Sequence, residues 1–535
     1  MNIYGPNDDD ANFYEKLQNN IIKMGNDNII VTGDFNLLLN PEVDGVNYKN
    51  INNPNARRRV LKMISDLNLY DSFREENIDK RLFTWKRKLT SGDIQMGRLD
   101  FFLVSESLTY LTQDENIIPG YRSDHSAILI SLKFNNTNHS KSFWKFNNSL
   151  LVNSSFVSEI KNVISSVKKQ YALLPYNLDN IDSIDNKDFQ TSLNSQLFFE
   201  VLLMEIRSKT ISFSSALKKK EKTLLEQLEL DIVNLESSDA IKNFDEITLK
   251  QEQIKLIREK RLNGTLIRSK ARWISQGEKP SKYFFALENR HFISKRMKCL
   301  INKNGEEIHD FNLIKTEVNS FFKNLYSSKE HLIESVNLNN ILNKETPILS
   351  DFEANSIEGE IKLEEASSVL NNMKNNKSPG SSGFTTEFFK FFWRDLGVFL
   401  VNSINFGYNN KELSSTQKEG IITCIPKGSK CKKYIKNWRP ISLLNISYKI
   451  ASGCIANRIK KILPSIINMD QSGFMSNRFT GDNIRLLYDI LKLSLQNKKP
   501  GILLLIDFEK AFDSVAWSFI KKAFVFFNFK NSIIQ

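Results

Sequence analysis

The sequence predicts a multidomain protein with an α/β N-terminal part, a helical and basic middle, and a mostly helical C-terminal part that closes on a strand. Three observations carry this expectation. At 535 residues the chain is too long for one hydrophobic core, and about three domains follow from ordinary domain sizes. The apolar runs before residue 134 are short and end in polar or acidic residues, the pattern of strands joined by loops. Beyond residue 205 apolar residues recur at helical spacing instead. With 41% hydrophobic and 11% aromatic residues the composition supports packed cores and excludes a disordered chain.

The charge balance narrows the partners. Lys and Arg number 74 against 61 Asp and Glu, a net charge of +13, which favours a polyanion such as nucleic acid over an acidic small substrate. Cys299, Cys424, Cys431 and Cys454 show no C-x-x-C spacing and no nearby histidine pair, so neither a zinc site nor a disulfide framework is expected from spacing. The opening MNIYGPNDDD is polar and acidic where a secretory signal is basic and then apolar, and no run approaches membrane-spanning length. These features predict an intracellular protein of the nucleus or cytoplasm, without a membrane partner.

Taken in order, Ile29–Thr32, Leu99–Val104 and Ala127–Leu132 are the apolar strands of residues 1–134. Residues 135–345 form a linker, Asn- and Ser-rich at first. Within it Leu224, Leu228, Ile232 and Leu235, then Ile254 and Ile257 with Arg258, predict a long basic helical hairpin broken at Ser237–Ser238–Asp239. That hairpin is either a solvated spacer or a nucleic-acid clamp. ARWISQGEKPSKYFFALENRH (271–291) mixes Arg, Lys and aromatics in a way that suits phosphates and stacked bases, or equally a helix with an aromatic core. From about 346 the pattern is helical, with breaks at SPGSSG (378–383) and PKGSKCKK (426–433), until the apolar run GILLLID brings Asp507 to the end of a strand.

Two constellations carry chemistry. IIVTGDFN (29–36) delivers Asp34 and Asn36 to a strand end, an acid able to orient or deprotonate water beside an amide able to donate to a phosphate. YRSDHSAILISL (121–132) places Ser123, Asp124 and His125 just before another strand, where an Asp can hold the tautomer of a His. Between them lie Thr84 in LFTW and Asp100 in GRLDFFLVS. The order Tyr4 in NIYGPN, GDFN, FTW, RLD, SDH resembles the endonuclease/exonuclease/phosphatase family, in particular the apurinic-type endonuclease of non-LTR, LINE-type retrotransposons. The resemblance implies a four-layer α/β sandwich over 1–134. It implies that Asp34 activates the nucleophile, Asn36 and His125 contact the phosphate, Asp100 orients His125, Asp124 helps to bind Mg²⁺ and Tyr4 supports the site. Thr84 and Ser123 would sit on the substrate side. In that family the Tyr-bearing strand comes about halfway through the domain, after a half that supplies an Asn and a metal-binding Glu. Met1 stands three residues before Tyr4, so an incomplete domain is expected.

The second constellation lies over residues 346–535. CIPKGSKCKKYIKNWRPISLLNISYKIASGCIANRIKKIL (424–463) puts Lys427, Lys430, Lys432 and Lys433 in a loop, then Arg439 before Pro440 at the mouth of an apolar helix, a set suited to a triphosphate or a template backbone. DQSGFMSNRFTGDNI (470–484) adds Arg478 and Asn483. K-S-P-G-x-x-G-F, N-W-R-P-I-S-L-L, Q-x-G-F-x-x-x-R and L-I-D-F-E-K-A-F-D-S-V, in that order, resemble the fingers and first palm strand of a non-LTR retrotransposon reverse transcriptase; the family's usual Asp is replaced by Ser382. The likeness implies that Asp507 is the first of the carboxylates holding two Mg²⁺ ions, and that Phe512 lies beneath the incoming sugar and selects deoxynucleotides. Lys427, Arg439 and Arg478 would bind substrate. Asp513 is read as a turn or helix acid in preference to a ligand. The implied partners are an RNA template, target DNA and deoxynucleotide triphosphates. The family's aromatic-x-Asp-Asp hairpin lies further downstream, so the expectation is a truncated polymerase that is inactive alone. The alternative is a non-catalytic nucleic-acid-binding protein derived from such an element.

Overall fold

The structure is a computed structural model and describes residues 1–120, 123–133, 143–173, 186, 189–239, 242–269, 297–327, 346–508 and 511–534. The stretch 271–291 lies outside the described residues. The chain divides into an N-terminal unit, Met1–Ser140 with Ser214–Ser281, and a C-terminal unit, Lys141–Phe213 with Lys282–Gln535. The expected linker over 135–345 is therefore shared between the two units, because its apolar residues find their partners in both.

In the N-terminal unit the chain runs β1 (Asn2–Tyr4), α1 (Ala11–Met24), β2 (Ile30–Asp34), α2 (Pro41–Asp44), β3 (Gly45–Val46), α3 (Pro54–Asp66), β4 (Leu69–Asp71), α4 (Ser72–Glu76), β5 (Trp85–Lys88), β6 (Ile94–Gly97), β7 (Asp100–Ser105), α5 (Glu106–Thr109), β8 (Thr112–Ile118) and β9 (Ala127–Leu132). Among the described residues the strands form a four-stranded sheet β1-β2-β7-β4, a three-stranded sheet β3-β6-β5 and the hairpin β8-β9. β1 runs parallel to β2 with Tyr4 opposite Asp34. β2 runs antiparallel to β7 with Asp34 opposite Asp100. Strand alternation turns Val31, Phe101 and Leu103 inward, where Tyr14, Leu17, Val60 and Met63 of α1 and α3 cover them. Asp10 caps α1 by accepting from the Asn12 N–H, and Gly25 ends it in the left-handed region with φ 56°.

A buried ion cluster sits below the sheet ends. The Arg98 guanidinium, 1% exposed, bonds Asp44 at 2.7 Å and Asp71 at 2.6 Å, and Arg74 bonds Asp44 at 2.5 Å. With all its charges paired the cluster withstands burial; loss of one partner leaves a charge stranded.

The helical hairpin of the N-terminal unit comes from the second part of α7 (Ser195–Asp239) and α8 (Phe244–Ser269). Leu228, Ile232, Ile247 and Ile254 form its seam. Some of its basic residues are engaged in ion pairs across the hairpin, Lys250–Asp231 at 2.9 Å, Arg258–Glu229 at 2.7 Å and Arg261–Glu221 at 3.0 Å.

The C-terminal unit contains α6 (Ser154–Tyr171), the first part of α7, β10 (Leu300–Ile301), β11 (Glu307–Ile308), α9 (Phe311–Tyr326), α10 (Asp351–Ser356), α11 (Leu363–Asn372), α12 (Thr386–Phe391), α13 (Trp393–Asn410), α14 (Ser415–Lys418), β12 (Gly420–Pro426), β13 (Trp438–Leu444), α15 (Ile446–Ile466), α16 (Thr480–Gln496), α17 (Trp517–Phe526) and α18 (Asn531–Ile534). Its main core joins Phe146, Phe156 and Ile160 to Phe198, Phe388, Phe392 and Ile450. The aromatic stretch FWKFNNSLL (143–151) thereby contributes to this core. The Phe146 N–H donates to Gly383 O at 2.9 Å, and a Cβ on Gly383 (φ 79°) would strike Trp144, so only glycine fits that turn. Asn445 secures the other side of SPGSSG: its Oδ1 accepts from the Ser382 N–H at 2.9 Å and its Nδ2 donates to Thr416 O at 2.7 Å. No helix of the described residues is long and apolar enough to cross a membrane.

Two expectations need correction. PKGSKCKK is the loop of a β-hairpin, not a break between helices: β12 and β13 pair antiparallel with Arg439 opposite Ile425 and Pro440 opposite Cys424. Arg439 is thus an exposed strand residue, and the helix starts later, at Ile446. The run 501–506 is exposed and has no regular secondary structure, rather than forming a buried strand, with Ile502 98% and Leu505 83% accessible. A strand needs a neighbouring backbone to bond and a layer to cover its apolar face, and among the described residues no strand pairs with it.

Candidate functional site

The candidate active site lies at the strand ends of the N-terminal unit. Gly33, at φ 136°, brings the β2 backbone against Ile3 O so closely that any Cβ would collide, and Asp34 follows as the last residue of the strand, between Tyr4 and Asp100. The Asn36 N–H donates to Asp34 Oδ1 at 2.8 Å, and the Asn36 amide donates to Gly5 O at 2.7 Å. Asn36 itself holds φ 52°, which asparagine tolerates better than most residues. Its carbonyl accepts from Asn52 and Asn53 at 3.0 and 2.9 Å, so both its backbone and its side chain are fixed.

Opposite Asp34, Asp100 opens β7. Its carboxylate meets His125 Nδ1 at 2.9 Å, while His125 Nε2 lies 3.7 Å from Asp34 Oδ2. His125 arrives on the turn between β8 and β9, where the Ser123 hydroxyl accepts from the His125 N–H at 3.1 Å. The turn is stitched to the FTW segment: the Ser126 N–H donates to Thr84 O at 2.5 Å and the Lys86 N–H to Asp124 O at 3.2 Å.

The electrostatics follow from this crowding. Burial raises the Asp34 carboxyl above the ordinary aspartate range, and the neighbouring charges of Asp100 and Asp124 add to the rise against the Asn36 N–H and His125. The hydrogen bond to Asp100 raises His125 against its partial burial. For Asp124 partial desolvation is outweighed, chiefly by the Trp85 indole N–H donating to Oδ2 at 2.9 Å, and its carboxyl is held low.

Not every expected residue has an open role. Thr84 is fully buried, and its hydroxyl accepts from the Leu99 and Asp100 N–H groups at 2.9 and 3.1 Å. It is a positioning residue for Asp100 and does not face a substrate, because both backbone donors would otherwise lack a partner. Ser123, by contrast, is exposed, and besides accepting from the His125 N–H its hydroxyl donates to Asp124 Oδ1 at 3.3 Å. Tyr4 stands in register with Asp34 but is 69% exposed; the buried tyrosine of the site is Tyr14, whose Oη donates to Phe35 O at 2.5 Å. Burial pushes the Tyr48 hydroxyl up to about 12. Tyr14 and Trp85 were not among the expected site residues; Trp85 stands beside Thr84 in the LFTW stretch, whereas nothing local marks Tyr14.

The structure gathers the C-terminal candidates less tightly. The Lys427 ammonium donates to Lys436 O at 2.9 Å and closes the β12–β13 loop. Arg478 donates to the carbonyls of Asn468, Gln471 and Ile467 at 2.5, 2.9 and 2.9 Å, so its guanidinium braces the backbone of this turn. Asp507 is exposed, and Phe512, 85% exposed, meets Phe474 edge-on at 6.0 Å. Asp513 accepts from the Tyr326 hydroxyl at 3.2 Å.

Among the described residues two groups bring three potential metal-ligating atoms within 4.8 Å of one another: Asp34, Asp100 and His125, and Cys299, Glu307 and His309. The second escaped the sequence reading because its members meet only across a hairpin.

Comparison with known proteins agrees with the C-terminal part. Residues 425–535 match the reverse transcriptase (RNA-dependent DNA polymerase) family, which makes this part polymerase-related; the family uses a nucleic-acid template and nucleotide substrates. Over 530 residues the chain is 26% identical to the "Transposon TX1 uncharacterized 149 kDa protein" of Xenopus laevis, covering 96% of this chain and 38% of that protein. The chain is thus similar to a transposon protein along nearly its whole length, and spans less than half the length of that relative. Among solved structures it is similar to a 3′-5′ exonuclease from Neisseria meningitidis, at 19% identity and a TM-score of 0.21 over 25% of this chain and 60% of that one.

Proposed function

We propose that the N-terminal unit cleaves phosphodiester bonds in target DNA and that the C-terminal unit belongs to the machinery that copies RNA from the freed 3′ end. The observation carrying the first half is the Asp34–His125–Asp100 constellation, with 3.7 and 2.9 Å separations at adjoining strand ends. Asp34, raised by burial, is a stronger base than a free aspartate and takes a proton from the attacking water. His125, whose hold on a proton Asp100 strengthens, faces the phosphate oxygens. Asn36 has one amide N–H on Gly5 O and retains a second donor for the phosphate.

The site fits a divalent cation: the Asp124 carboxylate, held low by the Trp85 indole N–H, would help to hold it and leave Asp34 to act as the base. Bound there, it would supply positive charge to the phosphate oxygens.

For the C-terminal unit we propose no primer extension by this chain alone. Among the described residues Asp507 joins no cluster of potential ligands, and two-metal transfer needs several carboxylates about 3.5–4 Å around the ions. The test combines two assays on the full chain with Mg²⁺. Nicking of supercoiled DNA is expected, falling roughly a thousandfold in Asp34→Asn and in His125→Ala, together with no dNTP incorporation on a primed RNA. Nicking that persists in both variants would refute the first half, and extension abolished by Asp507→Ala the second. Salt-sensitive nucleic-acid binding without nicking would move the reading to a binding protein.

A further inference from the structure

The hairpin β10–β11 pairs Leu300 with Ile308 and Ile301 with Glu307. The same register sets Cys299 opposite His309. Side chains of a strand alternate between faces, so Leu300 and Ile308 point one way, into a cluster with Trp438 and Ile435. Cys299, Glu307 and His309 share the other face, and their ligating atoms lie within 4.8 Å of one another.

A fourth group comes from the β12–β13 loop. The Ile301 N–H donates to Lys433 O at 2.8 Å, which ties this loop to the hairpin edge. Lys433 Nζ lies 2.7 Å from Glu307 Oε2, whereas Glu307 Oε1 faces His309 Nε2 at 3.5 Å. Cys431, two residues earlier and exposed, is carried to the same hairpin by that backbone bond and by the Lys433–Glu307 pair.

We propose that Cys299, Glu307, His309 and Cys431 bind one zinc-class divalent cation that fastens the β10–β11 hairpin to the lysine-rich β12–β13 loop. Thiolate sulfur, imidazole nitrogen and carboxylate oxygen make the mixed donor set that zinc accepts in tetrahedral sites. The charges close: two thiolates and one carboxylate balance the dication together with Lys433, and the histidine binds neutral. The cation takes Glu307 Oε1, so Lys433 keeps Oε2, and the two thiol protons leave to solvent. Such a site fixes the loop that carries Lys427, Lys430 and Lys432 relative to a rigid hairpin. It is independent of the nuclease and polymerase readings.

The test is Co²⁺ titration of the reduced full chain. One thiolate-bound Co²⁺ per chain is expected, with a thiolate-to-cobalt charge-transfer band that Zn²⁺ abolishes; a cation held by Asp124 at the nuclease site has no thiolate and gives none. Cys299→Ser and His309→Ala should each weaken binding on the order of a hundredfold, while Cys424→Ser, outside the cluster, leaves the band intact. His309 is 70% exposed, so its substitution should leave the far-ultraviolet circular dichroism of the metal-free chain unchanged and separates ligation from folding. Absence of the band in the reduced wild-type chain, or an equal band in Cys299→Ser, would overturn the proposal.

Discussion

The chain writes the same phrase twice and folds it two ways. IIVTGD and GILLLID are both apolar runs that end in an aspartate. The first lies between β1 and β7, with Tyr4 and Asp100 in register on either side of Asp34. The second has no ladder partner among the described residues, and its Asp507 faces solvent. An apolar run with a terminal acid is thus only the material for a site. Neighbouring strands convert it, by fixing the backbone, excluding water from one side and bringing other charged groups within range.

The largest expected effect comes from removing the frame of the first region. Arg98→Met strands Asp44 and Asp71 without their main cation, and about 3–5 kcal/mol of stability should be lost. Denaturant unfolding should show that loss in the transition of the N-terminal unit. An unchanged midpoint would mean that the ion cluster is not what holds the strand ends.

Glu115 sharpens the comparison through pH. Burial raises its carboxyl to about 7 from an ordinary 4.5, against the hydrogen bond from Ser72. Because the folded pKa lies above the unfolded one, the stability associated with Glu115 is whole below pH 4.5 and is lost as pH rises through 7. Glu115→Gln stays neutral, so above pH 7 it should be more stable than the wild type by up to about 3 kcal/mol, and equal to it near pH 4. The difference between the two stability curves isolates this group from other titrating residues. A parallel pair of curves would contradict it.

Thr84→Val removes the acceptor of two buried backbone N–H groups, for a loss of about 1–3 kcal/mol. It should also reduce nicking without raising KM in proportion, since Asp100 and through it His125 lose their placement. The smallest effect belongs to the second region: Asp507→Ala should leave the melting curve within about 0.5 kcal/mol of wild type. A larger shift would show that Asp507 has a partner after all.

How much of this could be read beforehand depended on how local the cause was. Asp34, Asp100 and His125 each stand beside an apolar run, and strand periodicity carries them to one edge. The helical hairpin was equally legible because its seam repeats along one segment. Pro440 concealed β13: a proline lacks the N–H a ladder needs and reads as the start of a turn or helix, yet a two-stranded ribbon tolerates it. The division into two units was hidden too, since Phe146 and Ile160 are buried by Phe388 and Ile450, hundreds of positions further along. Thr84 looked like a polar residue free for a substrate, and only the tertiary fold shows its hydroxyl occupied. Cys299 and His309 lacked any recognisable spacing because strand register, not sequence distance, joins them.

The uncovered run Ile502–Ile506 has a consequence for handling the molecule. It presents five successive branched aliphatic side chains and, among the described residues, amides and carbonyls that no strand pairs, free of proline and charge, which is what one chain offers another when proteins begin to stack into fibrils. Solubility in concentrated preparations should therefore be set by these few residues rather than by the surplus of lysine elsewhere, and a single lysine at Leu504 should do more to keep the protein dispersed than any added salt.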